Sequence, residues 1–354
     1  MKILVINPGS TSTKIAVFDK ETQIFKHSIS HSVEQLSPYK TIIDQFEFRK
    51  QLVLEELKKA GVALDFQAVI GRGGLTKPLE GGVYEVNEKM KEDIRTSDHS
   101  HACDLGCIIA SDIAKDIPGC RSFIADPVVV DELNDYARVS GSPLFQRASI
   151  WHALNQKAIA RRYAKDINKS YEDLNLIVCH LGGGISVAAH DHGRAVDVNN
   201  ALDGEGPFAP ERAGTLPAAD LVRLCFSGKY NEKEMLAFIS GKESGLSGHL
   251  GTNDMREVEN RCNNGDEKAS RLVDAMIYHI AKSIAAQGAV FCGKIDAVII
   301  TGGIARWQYI VDELTKRINY LAPVVVYPGE DEMEALALNA VAVLEGQREA
   351  KEYV

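Results

Sequence analysis

The sequence predicts an α/β protein built of two duplicated halves, and three observations carry that prediction. At 354 residues the chain is too long for one ordinary core, so two domains are expected. Two stretches about half a chain apart share one grammar: buried strand, glycine turn with hydroxyls, second strand. Around them, short apolar strands that end in glycine are interleaved with helical patterns.

The first such stretch is residues 2–19. Residues 3–6 are an apolar run of buried-strand length, and residues 15–18 are a second. Pro8, Gly9 and the four hydroxyl residues Ser10, Thr11, Ser12 and Thr13 between them have the composition of a turn. Hydroxyls and backbone N–H groups at a glycine turn can surround a phosphate, and Lys14 can reach it as a point charge. A plain hydrophilic hairpin tip is the competing reading. The chain turns again at Asp19 and Lys20 into a strand over residues 23–29. Ser37-Pro38 then predicts a helix start, with Ile42, Phe46, Val53 and Leu57 on one face and Gly61 ending it. Residues 68–70 are a short buried strand delivering Gly71-Arg72-Gly73-Gly74, where the arginine has little packing to do. Residues 88–94 and 101–114 read as helices. Residues 123–125 read as a strand that ends at Asp126-Pro127, which projects a carboxylate where open α/β sheets bind ligands.

Residues 143–149 are turn-like and residues 150–165 strongly helical, so the crossover between domains is placed near Ser149. The second hairpin follows: residues 176–181, then Gly182, Gly183 and Gly184, then residues 185–190. A further turn at His192-Gly193 leads into residues 194–198. Residues 203–214, which contain Arg212, are too rich in Gly and Pro to be regular. Helices are predicted over 217–226, 232–239, 253–262, 266–291, 305–321 and 332–344. Strands are predicted over 297–300, running into Gly302-Gly303, and over 324–327.

Composition narrows the function. Apolar content of 45% with 25% charged residues is that of a soluble globular chain, and no run approaches the length of a membrane span. The N-terminus goes straight into a strand, so no signal peptide is expected. Seven cysteines without a Cys-x-x-Cys pair predict reduced thiols and a cytoplasmic location. A net charge of −9 argues against general nucleic-acid affinity, and it requires that any anionic substrate meet a local basic site. The run Gly288 to Lys294 nearly spells a P-loop, but Ile295 replaces the hydroxyl and the order is helix to strand; Gly293 reads as a helix C-cap. His190-Asp-His192 reads as a hairpin turn rather than a metal site, and His99 with His101 is no better as a metal pair.

The stretches Asn7-Pro-Gly-Ser-Thr-Ser-Thr-Lys14, His180-Leu-Gly-Gly-Gly-Ile-Ser186 and Thr301-Gly302-Gly303-Ile304 resemble the acetate and butyrate kinases of the actin, sugar kinase and heat-shock ATPase superfamily. The resemblance covers nearly the whole chain. It implies two ribonuclease H-like (actin-like ATPase) domains, each a mixed five-stranded sheet flanked by helices, with a nucleotide cleft between them. The domains would be residues 1–148 with 334–354, and residues 149–333. Asn7, Ser10, Ser12 and Lys14 would hold phosphates from one side, and His180, Gly182, Gly183 and Gly184 from the other. Gly302 and Gly303 would let the backbone approach the adenosine. Arg72 falls on an arginine that binds the carboxylate, and Arg212 on one that contacts the transferred phosphoryl group. His152 matches a histidine that stabilises the transition state, and Asp126 an aspartate near the transferring group. His101 matches a further active-site histidine. Asp331, or Glu332 next to it, would hold Mg2+ together with Asn7.

The reaction implied is reversible in-line transfer from Mg-ATP to a short carboxylate, giving ADP and an acyl phosphate. A carboxylate is already ionised at neutral pH, so such a site wants arginines and a magnesium ion rather than a base. Asn-Pro-Gly in place of Asn-Ala-Gly, Gly183 in place of an asparagine, and Gly73-Gly74 directly after Arg72 point to the butyrate branch, with butanoate as the acid. Isobutyrate, propionate or acetate are the alternatives. A hydroxyl-directed kinase or a non-metabolic ATPase of the same superfamily are rival classes. The resemblance also implies a homodimer or higher homo-oligomer.

Overall fold

The computed structural model describes residues 1–97, 101–241 and 243–354, so His99 lies outside the described residues. In chain order the strands are β1 (Lys2–Pro8), β2 (Ser12–Asp19), β3 (Thr22–Ser30), β4 (Ala68–Arg72), β5 (Val83–Glu85), β6 (Arg121–Ala125), β7 (Asn175–Leu181), β8 (Ile185–Asp191), β9 (Arg194–Val198), β10 (Ala297–Gly302) and β11 (Val324–Pro328). The helices are α1 (Val33–Leu36), α2 (Phe46–Lys59), α3 (Glu88–Thr96), α4 (Leu105–Lys115), α5 (Asp135–Arg138), α6 (Ala153–Asp166), α7 (Ala218–Cys225), α8 (Glu232–Ser240), α9 (Gly245–Leu250), α10 (Met255–Asn263), α11 (Glu267–Gln287), α12 (Gln308–Ile318) and α13 (Glu332–Leu344). Residues 1–130 with 331–354 form one compact unit, and residues 131–330 form another. All seven cysteines are free. Among the described residues no helix is long and apolar enough to cross a membrane.

In the first unit the sheet order is β3-β2-β1-β4-β6-β5. β1 runs antiparallel to β2 and parallel to β4, and β4 runs parallel to β6. Leu4 and Ile6 pack with Val53 and Leu57 of α2 and with Leu105 and Ile109 of α4. The period of two along a strand turns Ile3 and Val5 to the other face, and all four are fully buried. α13 packs against β1 and β4. This sheet has six strands where five were expected. The addition, β5, pairs antiparallel with β6, and on its other side Lys351 N–H donates to Val83 and accepts from Glu85 N–H through its carbonyl. A three-residue strand completed by the far end of the chain carries no local signal.

The helix expected from Pro38 begins later, at Phe46, after a 3-10 turn over Ile43–Gln45. Just ahead of that turn Thr41 exchanges hydrogen bonds with Asp44, its own N–H to Oδ2 (2.8 Å) and the Asp44 N–H to Oγ1 (3.3 Å). β4 and α4 cross at a pair of glycines. A Cβ on Gly71 would lie 2.0 Å from the Gly106 carbonyl oxygen, so only glycine admits this approach, and the crossing fixes where Arg72 emerges.

The second unit has the order β11-β10-β7-β8-β9. β7–β8 and β8–β9 are antiparallel, whereas β7–β10 and β10–β11 are parallel. Ile177, Cys179 and Leu181 face a core with Met276, Ile280 and Ile284 of α11 and Leu314 of α12. Leu176 and Val178, on the opposite face, pack with Ile159, Ala160 and Ala164 of α6.

Residues 131–148, expected in the first domain, group with the second unit. Asn134 N–H donates to the Val196 carbonyl, and Arg147 pairs with Asp197 (3.1 Å) and Glu205 (2.9 Å). Short polar anchors of this kind leave no hydrophobic period for a reader of sequence to follow. α11 ends at Gln287, earlier than expected, and Gly293 lies at φ +78° in the turns that follow rather than at the helix end. His192 and Gly193 are the two left-handed residues (φ +48° and +86°) of the β8–β9 hairpin.

Candidate active site

In the first unit the turn between β1 and β2 is held from behind by Arg49 of α2, a residue that sequence reasoning missed. Its guanidinium is completely buried and donates to the carbonyls of Gly9 (2.8 Å), Ser10 (3.1 Å) and Ser12 (3.1 Å), to Thr13 Oγ1 (3.2 Å) and to Gln45 Oε1. None of these partners is a carboxylate. The turn carbonyls therefore face inward onto a cation, while Ser10, Thr11 and Lys14 are exposed and Ser12 half-buried. An arginine on the apolar stripe of a predicted helix, four residues before Val53, was the available signal. Burial lowers the Arg49 pKa without bringing it near neutrality, since guanidinium stays charged in proteins.

Beside this turn, the structure brings Asn7, Arg72 and Glu332 together. Glu332, in the first turn of α13, pairs one carboxylate oxygen with Arg72 Nη1 and accepts from Asn7 Nδ2 at 2.7 Å with the other. Asn7 is 7% exposed. Asp331 is exposed at the N-terminal boundary of α13, and its side chain makes no capping hydrogen bond there. Asp126 is buried, at φ +39°, and it grips Gly82 twice. Its Oδ1 accepts from Gly82 N–H (2.7 Å) and its own N–H donates to the Gly82 carbonyl (2.9 Å). His101 caps the 3-10 turn that precedes α4: its Nδ1 accepts from Cys103 N–H (3.3 Å), and its N–H donates to Asp104 Oδ2 (2.7 Å).

Asp104 is a second residue that sequence reading missed. Its Oδ1 accepts from Leu75 N–H (2.7 Å), and a Cβ on Gly74 would strike that oxygen at 1.9 Å. Burial raises the Asp104 pKa, and the backbone donors His101 and Leu75 oppose the rise. The loop after Arg72 is thus fastened to the start of α4.

In the second unit the turn after β7 gathers His180, Gly182, Gly183, Gly184, His152 and Arg212. His152 and His180 stack with ring centroids 3.8 Å apart and planes 12° apart. His180 Nδ1 lies 2.8 Å from Asn155 Oδ1, and its Nε2 lies 3.1 Å from Glu330 Oε1. A Cβ on Gly184 would lie 3.7 Å from His152 Cε1 and 3.8 Å from Arg212 Cγ, which places both side chains beside that turn. The Gly183 carbonyl accepts from Glu211 N–H (3.0 Å), and this ties the 203–214 loop to the turn. Arg212 Nη1 donates to the Ser240 carbonyl (2.7 Å). Its Nε is buried and, among the described residues, has no hydrogen-bond partner. Burial lowers the Arg212 pKa, and Glu211 and Asp203 counter that.

Gly302 ends β10 at φ +96°, and a Cβ there would strike the Leu181 carbonyl oxygen at 2.3 Å. It exchanges backbone hydrogen bonds with Gly329. Gly303 has no such constraint: its φ is not left-handed, and a Cβ would meet nothing within 4 Å.

The acetokinase family model matches residues 147–323. The chain is 58% identical over 347 residues to a probable butyrate kinase from Bacteroides thetaiotaomicron, with 98% of each chain covered. It is 53% identical over 354 residues to butyrate kinase 2 of Clostridium acetobutylicum, with 99% of each covered. Among solved structures, acetate kinase from Porphyromonas gingivalis is similar in fold, with a TM-score of 0.79 at 21% identity over 97% of this chain and 99% of that one. The chain belongs to the acetokinase family, and it is an enzyme, a kinase. Its two mixed sheets flanked by helices are the fold of the acetate kinases.

Proposed function

We propose that the protein transfers the γ-phosphoryl group of ATP to a short-chain carboxylate, butanoate by preference, and forms butanoyl phosphate and ADP reversibly. A carboxylate oxygen attacks phosphorus in line, the bond from phosphorus to the β,γ-bridging oxygen breaks, and the electron pair leaves with ADP. No proton moves, so no base is required. The observation that carries the reading is Arg212: a buried guanidinium N–H without an acceptor among the described residues, in a loop tied to a glycine turn and beside His152. Such a donor suits the oxygens of a transferring phosphoryl group. The names of the relatives, butyrate kinases at 53–58% identity, supply the acid.

The remaining roles follow by position. Arg72 meets the substrate carboxylate through its planar fork, of which the contact with Glu332 engages Nη1. His152 donates to the phosphoryl oxygens. Asn7, Ser10, Ser12 and Lys14 hold phosphates at one turn, and His180 with Gly182, Gly183 and Gly184 frames the other. Gly303, which the protein's own packing does not require to be glycine, leaves room for the nucleoside. Asp126 positions Gly82 rather than serving as a base.

Among the described residues no three His, Cys, Asp or Glu side chains gather as a metal cage. A magnesium ion that arrives with nucleotide phosphates needs none, because it takes one or two protein oxygens and keeps the rest as phosphate and water. Glu332 and Asn7 Oδ1, the amide atom not donating to Glu332, make such a set, with Asp331 one residue away. Bound there, magnesium would neutralise phosphate charge.

ATP turnover should depend on added butanoate, with acyl phosphate trapped as the hydroxamate. Apolar contacts discriminate a methylene by only about 1–3 kcal/mol, so neighbouring acids should react more slowly rather than not at all. Arg72→Ala and Arg212→Ala should each lower kcat/KM by about 100-fold or more. Asp126→Asn keeps the acceptor for Gly82 and should retain turnover. Loss of all activity in that variant, with a hydroxyl acceptor preferred, would replace the carboxylate reading by a base-catalysed one.

A further inference from the structure

His152 is the outer end of a buried hydrogen-bonded chain. Its Nδ1 lies 2.8 Å from Ser186 Oγ. Gln156 Nε2 lies 2.7 Å from that hydroxyl and 3.1 Å from the Ser186 carbonyl. Gln156 Oε1 lies 3.1 Å from His190 Nε2, and His190 Nδ1 lies 2.6 Å from the Tyr171 hydroxyl. Gln156, Ser186 and His190 are completely buried. This much buried polar surface, none of it used by the chemistry so far, has to be satisfied in one consistent direction.

The direction is fixed by an atom that cannot donate. The Ser186 carbonyl only accepts, so the Gln156 amide must turn its NH2 group toward Ser186 and its oxygen toward His190. His190 Nε2 therefore carries a hydrogen. Burial, with Lys157 and Arg161 nearby, pushes the His190 pKa well down. The ring stays neutral, and its Nδ1 accepts from the Tyr171 hydroxyl. At the other end Ser186 Oγ accepts from Gln156 and, at 3.5 Å, from His152 N–H. With both lone pairs engaged, the serine proton goes to His152 Nδ1.

We propose that Tyr171, His190, Gln156 and Ser186 lock His152 in the neutral tautomer that carries its hydrogen on Nε2. This rests on the role given to His152 above, and it explains how a histidine acts there as a standing donor. The opposite tautomer would aim a lone pair at an oxygen that is becoming more negative. Stacking on His180, itself held by Asn155, keeps the ring plane in place while the chain sets its polarity. Gln156 and Ser186 are thus positioning residues for the phosphoryl transfer.

The test is nitrogen NMR of the full chain labelled with 15N-histidine, with His152→Gln identifying the His152 signals. The wild-type protein should show a protonated Nε2 and an unprotonated Nδ1 at neutral pH. In Ser186→Ala the tautomers should mix, and kcat should fall by about 10- to 100-fold while KM for ATP and butanoate stays within about twofold. Ser186→Thr, which restores the hydroxyl, should recover both readouts. Gln156→Glu offers acceptors where the amide donated, so the serine proton turns to it and the spectrum should switch to Nδ1–H. A wild-type spectrum of the Nδ1–H form, or a Ser186→Ala protein with an unmixed Nε2–H signal and unchanged kcat, would overturn the proposal. The spectrum does not depend on turnover: a protein with the expected tautomer but no acyl phosphate product would sink the functional reading alone.

Discussion

Arg49 and His31 show what a single residue contributes when its charge is handled by the fold rather than by solvent. Arg49 carries its cation directly behind the first turn, and Thr13 passes the contact on: its Oγ1 accepts from Arg49 and lies 2.9 Å from His31 Nε2. The hydroxyl thus bridges the guanidinium and the imidazole, two groups that compete as cations in the same buried space. The ring Nδ1 of His31 is buried and, among the described residues, has no hydrogen-bond partner. Burial first, and the Arg49 charge second, push the His31 pKa down from 6.5 to about 4. Between these values the unfolded chain takes a proton that the folded chain refuses. The contribution is therefore whole above pH 6.5 and is lost as pH falls toward 4. Denaturant unfolding at pH 7 and pH 4.5 should show wild type losing about 2–3 kcal/mol more than His31→Gln over that interval. Equal losses in the two proteins would mean that His31 is protonated in the native state.

At the scale of elements, strands that end in glycine do two different jobs, which single substitutions separate. Gly302 is demanded by the protein itself, through its left-handed φ and the approach of β10 to the Leu181 carbonyl. Gly303 is not. Gly302→Ala should lower stability by about 3 kcal/mol or more, whereas Gly303→Ala should leave thermal unfolding nearly unchanged and instead raise KM for ATP. If both variants unfold alike, the distinction fails. These turns were legible in the sequence because an apolar run followed by glycine encodes a buried strand and its exit together. Arg72 stands out in the sequence because a charge between glycines has nothing local to pack on, and Arg212 because it sits in a loop too rich in Gly and Pro to be regular. Gln156, Ser186 and Asp104 were not, because a polar side chain's partner is set by tertiary neighbours and leaves no period. The helix start shows the same limit in small: Ser37-Pro38 is a sound local signal, yet the reciprocal Thr41–Asp44 pair outcompetes it.

Over the whole molecule, the two sheets repeat one connection: β1, β2, β3, β4 and β6 correspond in order and direction to β7, β8, β9, β10 and β11. The repeat explains where the candidate residues fall. The first hairpin turn carries Ser10 and Ser12 in one unit and Gly182, Gly183 and Gly184 in the other. The end of the next parallel strand carries Arg72 in one and Gly302 in the other. What distinguishes the first unit is that both chain ends complete it. α13 packs on β1 and β4, and Lys351 extends the ladder of β5. Tyr353 is 2% exposed, with its hydroxyl 3.0 Å from Asp93 and its carbonyl accepting from Asn87 Nδ2 at 2.7 Å. The tail thus closes the edge formed by β5 and α3, and its removal should open that edge locally. Deleting residues 345–354 exposes the surface that Tyr353 covers and strands the backbone groups of Val83 and Glu85, a loss of about 3–5 kcal/mol. Hydrogen exchange should then speed up first over residues 83–96, with β7 and β10 as protected as in the intact chain. Early loss of protection in β7 or β10 would show that the tail supports more than the unit it packs on.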